Sequence, residues 1–286
     1  MLHHSKVRPY SLPFRRLKPS GLRVPLFSLG GFNELASAER SRKTAFENGV
    51  NMFNTAEGYW NGKSEEEIKW CIIKEVSLRH SNFVISTKLH LGMRRGPNNG
   101  GLARKHIFED TQESLCRLQM DYVNVIFAHR PDPTVLMEEI VHAFNYEIEK
   151  GWVLYWVTSE WPAWEIEDAF HVADKLNLIG PIAERHRHKH DFKLTPSEGE
   201  YTPPYKKYGC TAEGREKIRK VKELGSVVKE LETTIAALAL TWVAKHPDTS
   251  TVILGATRPQ QIVDNLKAIE VLPKPPVMEK IEDISL

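Results

Sequence analysis

Cysteine is scarce: Cys71, Cys116 and Cys210 are the only three in 286 residues. Few, odd in number and far apart, they argue against a disulfide framework and for a reduced compartment, expected to be the cytoplasm. Long apolar runs are also missing. None approaches the roughly 18 residues of a membrane-spanning helix, so a soluble protein with no membrane span is expected. Neither charge sign dominates, with 39 basic against 37 acidic residues and a net charge of +2. A nucleic-acid partner would call for a concentrated basic face, which this balance does not offer. The start, "MLHHSKVRPYSLPFRR", lacks the apolar centre of a secretory signal. Residues 1–13 are therefore expected as a disordered tail, with 14–286 forming one domain.

What the chain does hold, with 41% hydrophobic residues, is enough to bury a sizeable core. Short apolar runs recur as expected strands: "PLFSL" near residue 27, "VNMF" at 50, "FVIST" at 83, "YVNVIFA" at 122, "WVLYWV" at 152, "LIGPIA" at 178 and "STVILG" at 250. Helical spacing fills the gaps. Leu136, Ile140, Phe144 and Ile148 fall on one face, as do Ile166, Phe170, Ala173 and Leu176. Ile235, Leu238 and Trp242 repeat the pattern, and so do Ile262, Leu266 and Ile269. Val- and Ile-rich strands with little alternation suit a parallel sheet covered by helices. A doubly wound dinucleotide fold would open with a glycine fingerprint after its first strand. Only "LGGFNE", Leu29 to Glu34, stands there. Polar groups instead follow successive strands, which is the habit of a TIM-type (β/α)8 barrel.

Three of those polar groups have a joint use. Tyr59, Lys88 and His129 follow three successive strands and would converge at one mouth. A phenol, with a pKa of about 10, gives up its proton reluctantly. A neighbouring ammonium lowers that pKa, and a histidine can hydrogen-bond the same oxygen or a substrate carbonyl. Carbonyl reduction by hydride needs such an acid. Asn54, at the end of a buried strand, needs partners of its own, because a buried amide without them is costly.

The motifs "LKPSGLRVPLFSLGG", "NMFNTAEGY", "VISTKLH", "GLARKHIFEDTQESLCRLQMDYVNVIFAHRPDP", "VLYWVTSEW" and "TTIAALALTWVAKHPDTSTVILGATRPQQIVDNLKAIEVLP" carry a family resemblance. Over roughly residues 14–282 the chain resembles the aldo-keto reductases, in the branch of the voltage-gated potassium channel beta subunits and fungal NADP-dependent reductases. The resemblance implies a barrel with an N-terminal hairpin, NADP as cofactor and a small carbonyl substrate. It also implies Tyr59 as acid, with Lys88 and His129 beside it. Asn54 stands where the family has an aspartate that pairs with the lysine. An amide can accept a hydrogen bond from Lys88 but cannot supply the negative charge that keeps it ionised.

For the cofactor, Thr257, Arg258, Gln261, Asp264 and Asn265 match the family's 2'-phosphate pattern, and Gly255 allows close backbone approach. A plain helix start, with Thr257 as N-cap and Pro259 in the first turn, accounts for the same residues. Ser159 matches the family serine that holds the nicotinamide amide. Glu160 replaces an arginine of the near relatives, and Arg185 replaces a glutamine that holds the same amide. His186, His188 and His190 alternate along "RHRHKH" and could ligate a metal, but a solvated loop and no metal are expected.

Relatives carry a seventh strand and a following loop over the cofactor's pyrophosphate. Here "EYTPPYKKYGC" runs straight into "TAEGREKIRKVKEL", so both are missing. Omitting a strand leaves unpaired edges. The resemblance thus implies an NADP-dependent reductase of aldehydes or ketones. A non-catalytic nucleotide-binding regulatory subunit, with a homo-oligomer or channel-type partner, and a degenerate family member stay open as alternatives.

Overall fold

A computed structural model describes residues 12–31, 35–69, 79–186, 212–272 and 281. Of the expected tail, residues 1–11 lie outside that set, as do His188 and His190. The chain divides into two compact units, residues 1–187 with 253–262, and residues 188–252 with 263–286.

The first unit opens with the expected hairpin, β1 (Phe14–Arg16) antiparallel to β2 (Arg23–Pro25). Then come β3 (Phe27–Gly30), α1 (Leu35–Glu47), β4 (Met52–Asn54), α2 (Lys63–Lys69), β5 (Val84–Leu89), α3 (Arg104–Leu118), β6 (Val123–Ala128), α4 (Met137–Glu149), β7 (Val153–Ser159), α5 (Ala163–Lys175) and β8 (Glu184–Arg185). From β4 to β8 each strand pairs parallel with its predecessor in the chain. A late strand, β9 (Val252–Leu254), lies beside β3, giving the order β8-β7-β6-β5-β4-β3-β9. Strand-helix alternation and this order are those of a (β/α)8 barrel lacking one strand. Among the described residues no strand stands between β8 and β9, where the seventh strand was expected to be missing, and residues 187–211 lie outside that set.

Side chains alternate across each strand, and this alternation places the site. Met52, Val84, Val125, Phe127, Val157 and Ile182 form one apolar cluster, which Leu17 and Val24 of the hairpin join. Two positions onward along the same strand faces stand Asn54, His129 and Ser159, and four onward from Val84 stands Lys88. The inner column is therefore apolar below and polar above.

Two expectations fail. "LIGPIA" is not a strand; β8 begins only at Glu184. The segment does run beside β7, since Ile182 donates its N–H to the Trp156 carbonyl. Pro181 just before it has no N–H to give. On α5 the buried residues are Ala169, Val172 and Ala173, while Phe170 is exposed. Phe170 instead folds over Gly180, where an added Cβ would lie 3.0 Å from its ring. The α4 face is nearer expectation, with Ile140 and Phe144 buried, although Leu136 precedes the helix and is exposed.

The second unit holds α6 (Ala212–Glu230), α7 (Ile235–Lys245) and α9 (Ala268–Val271), and α8 (Pro259–Leu266) crosses into it. Its core is Val227, Leu238, Val271 and Ile281. Thr234 caps α7, accepting the Ala237 N–H at 3.0 Å. Among the described residues no helix is long and apolar enough to cross a membrane.

Candidate active site

The expected trio meets. The Lys88 ammonium lies 4.5 Å from the centre of the Tyr59 ring. Tyr59 and His129 meet edge to face, with ring centres 5.8 Å apart. Lys88 sits inside β5 rather than beyond it, Tyr59 on the turn after β4, and His129 directly after β6. Lys88 and His129 are buried, and Tyr59 is half-buried. Gly31, at the end of β3, makes room for the phenol. A Cβ there would lie 3.0 Å from the Tyr59 ring and 2.7 Å from the Ser64 hydroxyl.

Both polar atoms of the Asn54 amide have a partner. Its Oδ1 accepts from Lys88, and its Nδ2 donates to the Ser86 hydroxyl at 2.8 Å. Lys88 also donates to the Thr55 carbonyl at 2.5 Å. These are neutral acceptors. Burial pushes the Lys88 pKa well below its ordinary 10.5, and Arg185 and Arg130 push the same way against Glu65. Glu65 on α2 is thus the carboxylate that opposes this loss of charge, though it also accepts from Thr87 at 2.5 Å and from Arg117 at 2.6 Å. The sequence reading missed Glu65, because nothing local marks a helix residue as facing a strand 23 positions on.

His129 is neutral. Burial first, then the charges of Lys88, Arg130, Arg185 and His90, lower its pKa from 6.5 to about 3. Its Nδ1 has no hydrogen-bond partner among the described residues. The ring can offer a hydrogen bond without adding positive charge. Arg130 was also missed, although it follows His129 in the quoted motif. Its guanidinium donates to the His129 carbonyl at 2.5 Å and reaches the buried Ser159 hydroxyl at 3.5 Å. Arg185 faces Glu160 across β7 and β8 at 4.0 Å. Ser159 and Arg185 thus stand side by side in the sheet register.

At the other candidate region the helix start differs from expectation. Gln261, not Thr257, does the capping. Its Oε1 accepts from the N–H of Thr257 at 2.7 Å and of Arg258 at 3.1 Å, and the Thr257 hydroxyl donates to it at 3.1 Å. Pro259 is the first helical residue, as expected. Arg258 and Gly255 are exposed, and a Cβ on Gly255 would meet nothing within 4 Å. Asp264 and Asn265 belong to the second unit, where Asp264 pairs with Lys267 at 2.9 Å. His186 is exposed and lies 3.9 Å from Glu184. Cys116 is a free, exposed thiol.

The model of the Aldo/keto reductase family matches residues 26–183 and 183–285. The chain is 39% identical over 318 residues to a probable voltage-gated potassium channel subunit beta of Arabidopsis thaliana, covering 96% of both chains. It is 39% identical over 325 residues to a putative voltage-gated potassium channel subunit beta of Schizosaccharomyces pombe, covering 97% of this chain and 94% of the other. A probable subunit of the same name from Oryza sativa subsp. japonica is 38% identical over 318 residues. Alignments of 318 positions exceed the 286 residues of this chain, so these relatives hold residues that it lacks.

Proposed function

The chain belongs to the aldo/keto reductase family, and we propose that it is an NADP-dependent oxidoreductase that reduces aldehydes or ketones, with Tyr59 as the proton donor. One observation carries the reading: Tyr59, Lys88 and His129 converge on the polar end of the inner column, above an apolar core. The residues present suit a phosphorylated dinucleotide. Exposed Arg258 and the two backbone N–H groups now satisfied by Gln261 offer a phosphate charge-assisted hydrogen bonds. Ser159 and the facing pair Arg185 and Glu160 offer donors and an acceptor to a carboxamide. When bound, NADPH supplies the hydride.

The side chains supply the rest. The Tyr59 hydroxyl gives its proton to the carbonyl oxygen as negative charge develops there. The resulting phenolate is held by Lys88, and the neutral His129 ring hydrogen-bonds the same oxygen or the substrate. Asn54 leaves Lys88 without the family carboxylate, so the acid is weaker than its relatives'.

The test is nicotinamide fluorescence on titration with NADPH, followed by turnover of a reactive aldehyde. Tyr59→Phe keeps the ring and removes the acid. It should abolish reduction and leave NADPH binding nearly intact; unchanged turnover would remove Tyr59 from the mechanism.

The relatives' names and Asn54 favour a second reading, a nucleotide-binding regulatory subunit of a channel-type or homo-oligomeric assembly in the cytoplasm. NADPH binding with no reduction of any aldehyde or quinone in a broad panel would select it.

A further inference from the structure

A second polar chain lies behind the Tyr59 turn. Glu57, two residues before Tyr59, is fully buried. Its Oε1 accepts from the backbone N–H of His90 at 2.7 Å and of Gly92 at 3.0 Å, just beyond the strand that carries Lys88. Its Oε2 faces His106 Nε2 at 3.4 Å, and His106 Nδ1 faces Asp110 Oδ2 at 2.7 Å. His106 is 1% exposed and stands one turn before Asp110 on α3. Gly92 has φ +63°, and a Cβ there would lie 1.6 Å from the Asn99 carbonyl oxygen, so the loop admits little variation. Glu57 holds the loop after β5 to the Tyr59 turn by hydrogen bonds. His106 links Glu57 to α3 by charge proximity, since neither ring nitrogen meets hydrogen-bond geometry among the described residues. One donor atom from each of Glu57, His106 and Asp110 lies within 4.8 Å of the others. The imidazole stands between the two carboxylates, one facing each ring nitrogen.

We propose that His106, as an imidazolium between Glu57 and Asp110, is a positioning residue that fixes the Tyr59 turn against the end of the Lys88 strand. The inference rests on the reading of Tyr59 as the acid. Removing one partner of a buried ion pair leaves a buried charge uncompensated, which is strongly unfavourable. Without the imidazolium, Glu57 would be such a charge. Its turn would no longer be anchored to α3, and the His90 and Gly92 amides that Glu57 accepts from would lose their fixed position.

The surroundings favour the charged ring. Burial opposes the charge on His106, but Asp110 and Glu57 outweigh it and raise the pKa from 6.5 to about 9. The other groups acting on the chain are His90, whose pKa burial lowers, and Arg117, which draws the Asp110 pKa down together with His106. The tie is therefore intact at neutral pH and released as pH rises through about 9.

Three measurements on the full chain test this: histidine titration by NMR, amide exchange, and kcat and KM for carbonyl reduction across pH. The His106 ring of the wild type should keep its proton to about pH 9. His106→Gln should speed exchange at the His90 and Gly92 amides about tenfold, the effect of weakening one hydrogen bond, while the β6 amides stay protected. It should lower kcat with NADPH binding unchanged. Asp110→Asn, which keeps the side-chain shape, should move the ring's titration and the alkaline fall of kcat down together. Unaltered exchange at those two amides, or a ring titrating in the ordinary imidazole range, overturns the proposal. So does a kcat profile that stays put in Asp110→Asn. A wild type that reduces no carbonyl overturns the preceding reading instead, and exchange and titration then decide the tie by themselves.

Discussion

Asn54 has a partner on both its amide oxygen and its amide nitrogen and still leaves Lys88 short of charge. Asn54→Asp adds a carboxylate where the amide oxygen already accepts from that ammonium. It should raise the Lys88 pKa, lower that of Tyr59 and increase turnover about tenfold, equivalent to about 1.4 kcal/mol of transition-state stabilisation. Steady-state kinetics on one aldehyde checks it, and a carboxylate variant that binds NADPH yet reduces nothing would end the enzyme reading. Arg258 poses a separate question of cofactor choice. A hydrogen bond to a charged group contributes about 1.5–3 kcal/mol, so Arg258→Ala should weaken NADPH far more than NADH. Equal weakening, read by fluorescence titration, would leave Arg258 a helix-start residue only.

Helix α4 carries a buried carboxyl that the proposed chemistry does not use. Glu147 is 1% exposed, and its Oε2 has no hydrogen-bond partner among the described residues. Burial, opposed only by Thr111, raises its pKa from 4.5 to about 8. Between those values the folded chain binds a proton that the unfolded chain has released, so this group lowers stability as pH rises. Glu147→Gln removes the titration. The variant's gain in Tm over the wild type should therefore be larger at about pH 8 than at about pH 5. Thermal unfolding at both pH values checks this, and a pH-independent difference would show that Glu147 stays ionised.

Among the described residues of the first unit, the sheet has two ends, β8 and β9. The edge strands are short, β8 of 2 residues and β9 of 3, and short edges are one way to blunt unwanted pairing. The long strands β5, β6 and β7 are paired on both sides. Amide exchange should accordingly be slowest in β5 to β7 and fastest at β8 and β9. Uniform protection across the seven strands would mean that the edges are covered by another element.

Much of this was written in local sequence. Apolar runs placed β3 to β7 and β9 because strand formation follows the burial of consecutive Val, Ile and Phe, a property of the residues themselves. The motif positions of Tyr59, Lys88 and His129 were legible for the same reason, each lying at or beyond the end of such a run. Only tertiary structure decided the remainder. β8 was misplaced because a two-residue strand is defined by the neighbour it pairs with. On α5, Ala169, Val172 and Ala173 proved to be the inward residues while Phe170 covers Gly180, a contact made only once the chain has folded back. Glu65 and His106 act on strand ends far away in sequence. Their charge matters only because folding removes the water that would otherwise screen it, and sequence spacing carries no record of that distance.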